Sequence, residues 1–305
     1  MQLAIGIDIG GTRIKIGLVN LNTQTVIERI VIPTETRSEA SFLINLDAAI
    51  LALQEISDKM NAELMGIGMG VPSFVDANGL VDSTYGFIEF MENYPLAEII
   101  RERYGLSCRI DNDARVVALG EALFGNGKGY ARVLVFTLGT GLGIGFIEHQ
   151  RFVDRLPFGH MGGHQTISTE GRVCYCGKKG CLEPLVSISG LLEIAGAFKW
   201  ISPDPTSRSI PEHIFTGARS GDTVAESIVS QYLLYLKTGI DNFINLLAPD
   251  IIILGGGLSK SLQPYLPELT ALHYVKPFTG YSVKIVVSEL EEASGMLGGA
   301  ALFTA

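Results

Sequence analysis

Between Gly162 and Glu183 the chain gathers one imidazole and three thiols: His164, Cys174, Cys176 and Cys181. Deprotonated, this is a complete tetrahedral donor set of the kind that structural Zn2+ takes. No position is left for water, so the ion would brace a loop and perform no chemistry. Cys174 and Cys176 stand one residue apart, too close to staple the chain usefully. The fourth cysteine, Cys108, is isolated, which also argues against a disulfide framework and for a reducing compartment. His160 is a second candidate for the imidazole position. The bland alternative is a cysteine-bearing surface loop without metal.

Other residues of chemical interest stand at the ends of apolar runs. Asp111, Asn112 and Asp113 lie where a strand pattern gives way to a helix pattern. A carboxylate there can accept the proton of a hydroxyl attacking a γ-phosphate, although capping the helix is the commoner use of aspartate. Asn112 carries both donor and acceptor, which suits a sugar hydroxyl. Glu183 opens a further helical pattern, "PLVSISGLLEIAG", where the helix dipole alone would favour a carboxylate. A second use for it is as an acceptor for sugar hydroxyls. His149, His213 and His273 have no patterned neighbours and read as surface or packing residues.

Three glycine turns are placed to meet a nucleotide, two of them its phosphates. Gly10-Gly11-Thr12 and Gly139-Thr140-Gly141 each separate two runs rich in β-branched residues, so each reads as a hairpin. A dinucleotide fingerprint would need a helix after the glycines, and none fits. Small or absent side chains let backbone N–H groups and hydroxyls approach phosphate oxygens closely. Asp8, just before the first turn, is placed to meet a phosphate-bound Mg2+ through water. The third turn, Gly255-Gly256-Gly257, follows the run "DIIIL" and fits the close passage of a nucleotide.

The elements that must position these groups alternate between strand and helix. Residues 24–32 read as a third strand, "SEASFLINLDAAILALQEISDKM" as a capped amphipathic helix and "MGIGMGVP" as a buried strand. The strand "SCRID" precedes the helix "NDARVVALGEALFG". In the second half "RVLVFTLGTGLGIGFIEH" repeats the opening hairpin, a weak internal repeat that implies a duplicated domain. A long helix follows in "DTVAESIVSQYLLYLKTGIDNFINLL", then "DIIIL", a further helix, the strand "YSVKIVVS" and the terminal helix "ASGMLGGAALF". "ISPDPTSRSIPEH" reads as a surface loop. Such alternation argues for two α/β domains, as does a length of 305 residues.

Composition narrows the function classes. With 47% hydrophobic and 18% charged residues the chain can build large cores, and 36 glycines imply many tight turns. A net charge of −9 opposes non-specific attraction to nucleic acid or anionic membranes. No apolar run reaches membrane-span length, and the first residues lack the basic segment of a secretory signal. The expected setting is cytoplasmic.

In this order the pieces resemble the ROK family, the sugar kinases and sugar-responsive repressors of the sugar kinase/Hsp70/actin superfamily. "GIDIGGTRIKIGLV" and "TLGTGLGIGF" resemble its two phosphate motifs, "DNDARVVALGE" its catalytic motif, "GGHQTISTEGRVCYCGKKGCLE" its zinc signature and "IIILGGGLS" its adenosine-side motif. The resemblance implies an α/β fold of two actin-like (ribonuclease H-like) domains with a cleft between them. Residues 1–112 and 293–305 would form the N-terminal domain, with the first phosphate turn and part of the sugar site. Residues 113–292 would form the C-terminal domain, with the second turn, the zinc loop and the adenosine side.

The implied reaction is ATP-dependent phosphorylation of a hexose or amino sugar, at the 6-hydroxyl, with Asp113 as general base. Asn112, Glu183 and His164 would hold the sugar, and His164, Cys174, Cys176 and Cys181 the zinc. His164 is preferred to His160 because it keeps the family's interval to the cysteines. Asp8, Gly10, Gly11, Thr12, Thr137, Gly139, Thr140, Gly141, Gly255, Gly256 and Gly257 would surround ATP and its Mg2+. A homodimer or higher homo-oligomer is common in the family. A repressor would need an N-terminal helix-turn-helix, for which the hairpin starting by residue 3 leaves no room. One departure stands out: the family has Gly-Glu-x-Gly-His where this chain has "HMGGH", with Met161 in the glutamate's place. Aligning on His160 would put Pro157 there instead. The alternative expectation is therefore a sugar-binding sensor or degenerate kinase without turnover.

Overall fold

A computed structural model describes residues 1–76, 78–83, 87–153, 156, 158–204, 209–271 and 280–304. Pro157 and His273, considered above, lie outside the described residues. The chain divides into two compact units, Met1–Ala131 with Gly145–Arg155 and Glu289–Ala305, and Arg132–Ile144 with Leu156–Ser288.

The elements run β1 (Gln2–Ile9), β2 (Arg13–Asn20), β3 (Thr25–Pro33), α1 (Glu39–Lys59), β4 (Glu63–Val71), β5 (Phe74–Val75), β6 (Val81–Asp82), β7 (Glu92–Tyr94), α2 (Leu96–Tyr104), β8 (Cys108–Asn112) and α3 (Asp113–Phe124). Then come β9 (Arg132–Leu138), β10 (Leu142–Glu148), β11 (Arg151–Phe152), α4 (Leu182–Val186), α5 (Ile188–Ala197), α6 (Ile210–Arg219) and α7 (Thr223–Leu247). The chain closes with β12 (Ile251–Gly255), α8 (Ser259–Leu262), α9 (Leu266–Thr270), β13 (Lys284–Val287) and α10 (Ser294–Ala301).

In the first sheet the order is β3-β2-β1-β4-β8. β1 pairs antiparallel with β2 and parallel with β4, which pairs parallel with β8. Leu3, Ala4, Ile5, Gly6 and Ile7 are buried in succession, the continuous run of a strand covered on both faces. α1 begins where the Ser38 hydroxyl accepts the Ser41 N–H, and it buries Phe42, Leu46, Ile50 and Leu53 in the core with β1. By length and composition this helix would pass for a membrane span, yet its apolar face is a core face.

Glycine brings α10 against the first sheet. A Cβ on Gly68 of β4 would lie 1.9 Å from the Gly299 carbonyl oxygen, and one on Gly298 would lie 2.0 Å from the Val116 carbonyl oxygen of α3. The division expected between Asn112 and Asp113 therefore differs from the compact units. α3 stays in the first unit because Gly120 and Gly298 allow it to lie directly on α10.

The second sheet has the order β11-β10-β9-β12-β13, with β12 parallel to both β9 and β13. Each sheet thus begins with strands joined by a glycine turn and continues through a parallel strand. This is the structural form of the internal repeat and the arrangement of actin-like domains. A small sheet, β5-β6-β7, completes the strands among the described residues.

Three details depart from the sequence reading. "PLVSISGLLEIAG" is not one helix: Ser187 has extended backbone, ends α4 and caps α5 through the Gly190 N–H. The supposed loop "ISPDPTSRSIPEH" turns helical at Ile210, with Pro211 in the first turn where its missing N–H costs nothing. After Gly257 a single helix was expected, but Pro264 and Pro267 divide the segment into α8, a short 3-10 turn and α9.

Candidate functional site

In the first unit, the ends of β1 and β8 hold the acidic groups. Asn112, not Asp113, is the N-cap of α3: its Oδ1 accepts from Ala114 N at 3.0 Å and Arg115 N at 3.3 Å. Its Nδ2 donates to the Ser73 carbonyl at 3.1 Å, and the amide also lies within reach of Asp113. Asp113, relieved of the cap, accepts a local bond from Ala114 N at 2.8 Å and is also approached by the Asn112 side chain. Burial first, and then the negative charge of Asp8, push its carboxyl up to about 7. Asp113 still retains an opening to solvent. A carboxylate that exchanges its proton near neutral pH is suited to general-base work.

Asp8 is also raised by burial, against the pull of Lys15. Lys15 stands directly opposite it across the hairpin, with Nζ 3.8 Å from Oδ2. Sequence reading passed over Lys15; the cross-strand register identifies the lysine that meets the acid. On the other side a Cβ at Gly295 would fall 2.4 Å from Asp8 Cγ, so glycine there makes room for the carboxylate. Gly10 N donates to Arg13 O, while Gly11 and Thr12 are exposed at the tip. Asp111 is occupied by Arg115 at 2.7 Å, and that guanidinium lies over the Phe152 ring.

In the second unit, two glycine turns and Glu183 come together. Gly256 has a φ of +83°, and a Cβ there would lie 2.4 Å from the Leu138 carbonyl oxygen, which accepts from Leu258 N. The Gly255–Gly257 turn is thus seated on the end of β9, next to Gly139–Gly141. Thr137 pairs with Gly255 in register. A Cβ on Gly141 would stand 2.6 Å from Glu183 Oε1, so the missing side chain admits the carboxylate to this turn. Burial raises the Glu183 carboxyl, opposed by a hydrogen bond from Tyr175.

The ligand atoms of His164, Cys174, Cys176 and Cys181 all lie within 4.8 Å of one another. His160 is not in this group. Cys176 Sγ and Cys181 Sγ are 3.7 Å apart, and Cys174 Sγ is 3.4 Å from His164 Nδ1. Tetrahedral Zn–S bonds of about 2.3 Å set sulfur atoms roughly 3.8 Å apart, so the residues fit that ion. Burial holds the Cys181 thiol up at about 12, a penalty that a bound cation would remove. Burial also lowers His164, favouring the neutral ring a metal requires. Two bridges, Thr166 with Cys181 and Val173 with Lys179, pin the loop as a short hairpin. Tyr175, unremarked in the sequence, bonds both His164 and Glu183. Its only sequence signal is its place between two ligand cysteines.

Comparison with known proteins covers nearly the whole chain. The sequence model of the ROK family matches residues 4–305. The chain is 30% identical to a glucokinase of Thermotoga maritima over 98% of this chain and 96% of that one. It is 30% identical to an N-acetylgalactosamine kinase of a Shewanella species over 97% and 95% of the two chains. A ROK family glucokinase from Streptomyces griseus, solved with glucose and AMPPNP, superposes with a TM-score of 0.79 at 26% identity, covering 98% of each chain. The chain therefore belongs to the ROK family.

Proposed function

We propose that this chain is an ATP-dependent sugar kinase that phosphorylates a hexose or amino sugar at its 6-hydroxyl, with Asp113 as general base. The observation that carries this reading is the Asp113 carboxyl, free of the cap and raised to about 7 at the start of α3. Asp113 accepts the hydroxyl proton as the oxygen bonds to the γ-phosphorus and the bond to the β-phosphate breaks, releasing ADP. Asn112 offers its amide to the sugar, and Glu183 and His164 Nε2 offer an acceptor and a ring nitrogen. Backbone N–H groups of the Gly10–Thr12 and Gly139–Gly141 turns face phosphate, and the Gly255–Gly257 turn passes the adenosine. Asp8 would hold Mg2+ through water, and that ion would screen the phosphate charge. His164, Cys174, Cys176 and Cys181 would hold Zn2+, which fixes the loop carrying the sugar ligands. A reducing cytoplasm suits three clustered thiols.

The test is sugar-dependent ADP release with MgATP over hexoses, 2-amino sugars, N-acetyl sugars and 2-modified analogues. Turnover of one group establishes the kinase and its class of acceptor. Sugar binding by calorimetry without turnover of any member would instead establish a sensor, the reading that the loss of a carboxylate at Met161 favours.

A further inference from the structure

Glu183 Oε2 and His164 Nε2 lie 3.6 Å apart, both largely buried. A carboxylate oxygen beside a ring N–H forms a socket for one hydroxyl, which donates to the first and accepts from the second. In this chain that socket is already filled. The Tyr175 hydroxyl donates to Glu183 Oε2 at 3.2 Å and lies 3.0 Å from His164 Nε2. The two rings meet edge to face, with centroids 5.0 Å apart. His164 Nδ1 faces Cys174, so a metal on that side leaves the ring proton on Nε2, where the phenol oxygen accepts it.

The loop holds Tyr175 in this place. Gly177 N donates to Cys174 O at 2.9 Å, which makes Tyr175 the first central residue of a tight turn flanked by two clustered cysteines. Tyr175 is 49% exposed, so replacing its ring opens no core cavity. Met161 acts in the same sense. It stands three residues before His164 in one 3-10 helix, where side chains at i and i+3 eclipse, so the two share a face. A thioether there offers hydroxyls only a weak acceptor.

We propose that Tyr175 is a specificity-determining residue, its phenol occupying one hydroxyl subsite, so that the acceptor is a hexose or amino sugar in which that hydroxyl is missing or substituted. The proposal rests on the kinase reading above. A fully hydroxylated sugar must displace the phenol and its two hydrogen bonds before it can use the socket.

The test measures kcat/KM with MgATP for glucose, 1-deoxyglucose, 2-deoxyglucose, a methyl glucoside and N-acetylglucosamine in wild type, Tyr175→Phe and Tyr175→Gly. Removing the hydroxyl should raise the ratio of kcat/KM for glucose to that for the wild type's preferred analogue by roughly tenfold. The KM for ATP should stay within about twofold, and the thermal midpoint should be unchanged. Tyr175→Gly should move the ratio in the same direction. A ratio unchanged in Tyr175→Phe, or moved the opposite way, overturns the proposal and leaves the kinase intact. A wild-type protein that neither turns over nor binds any of these sugars overturns the kinase reading and this proposal together.

Discussion

The acidic corner of the first unit and the thiol cluster of the second are both packed with ionisable groups, but they handle charge in opposite ways. Around Asp113, burial and a like-charged neighbour keep a carboxyl from ionising easily, and no cation within the chain pairs with Asp113 in the interactions described. Around His164 the donors converge on one another at distances that suit a single ion. The first arrangement is unsatisfied until a proton or ligand arrives, as reactive groups are. The second gains order when its charge is neutralised, as structural sites do. Chemistry is therefore expected from the first and positioning from the second.

Asp113→Asn should separate the two most sharply. It should lower kcat by about 10²–10⁴ while the KM for ATP and the metal content stay near wild type. The same substitution should raise stability at pH 8. The folded carboxyl titrates near 7, above the unfolded value of 3.8, so its penalty is absent below the unfolded value, grows as pH rises from there to about 7, and is fully present at pH 8. Steady-state kinetics and thermal melting at two pH values check both statements. Near-normal turnover would remove Asp113 from the base role.

A smaller effect of the opposite kind should follow from Cys176→Ser or from chelation. The loop between His164 and Glu183 should loosen, raising the sugar KM by about 10–100-fold before the KM for ATP changes. Native protein should contain zinc by metal analysis. Protein without zinc, or a chelated enzyme with unchanged sugar KM, would erase the distinction between the two regions.

Much of this was legible in the residues because the signals were local. The glycine turns, the strand runs around them, the cysteine spacing and the capped helices each depend on neighbours in sequence. The division of roles between Asn112 and Asp113 was not legible, because either residue can cap a helix and the choice depends on Ser73, distant in sequence. Lys15 became visible only through the β1–β2 register, and Tyr175 only once its turn had folded over His164. The break at Ser187 escaped for a related reason. A serine inside an apolar helical pattern ordinarily bonds back to its own helix, whereas here it caps the next one.

The most direct measurement is the pH dependence of kcat/KM for the best sugar acceptor, in wild type and in Asp113→Asn. The account predicts that the wild-type value rises about tenfold per pH unit on the acid side and levels off near pH 7, as the Asp113 carboxyl gives up its proton. In Asp113→Asn that rise should vanish from the residual activity. A wild-type profile flat across this range, or the same rise surviving in Asp113→Asn, would contradict Asp113 as the base.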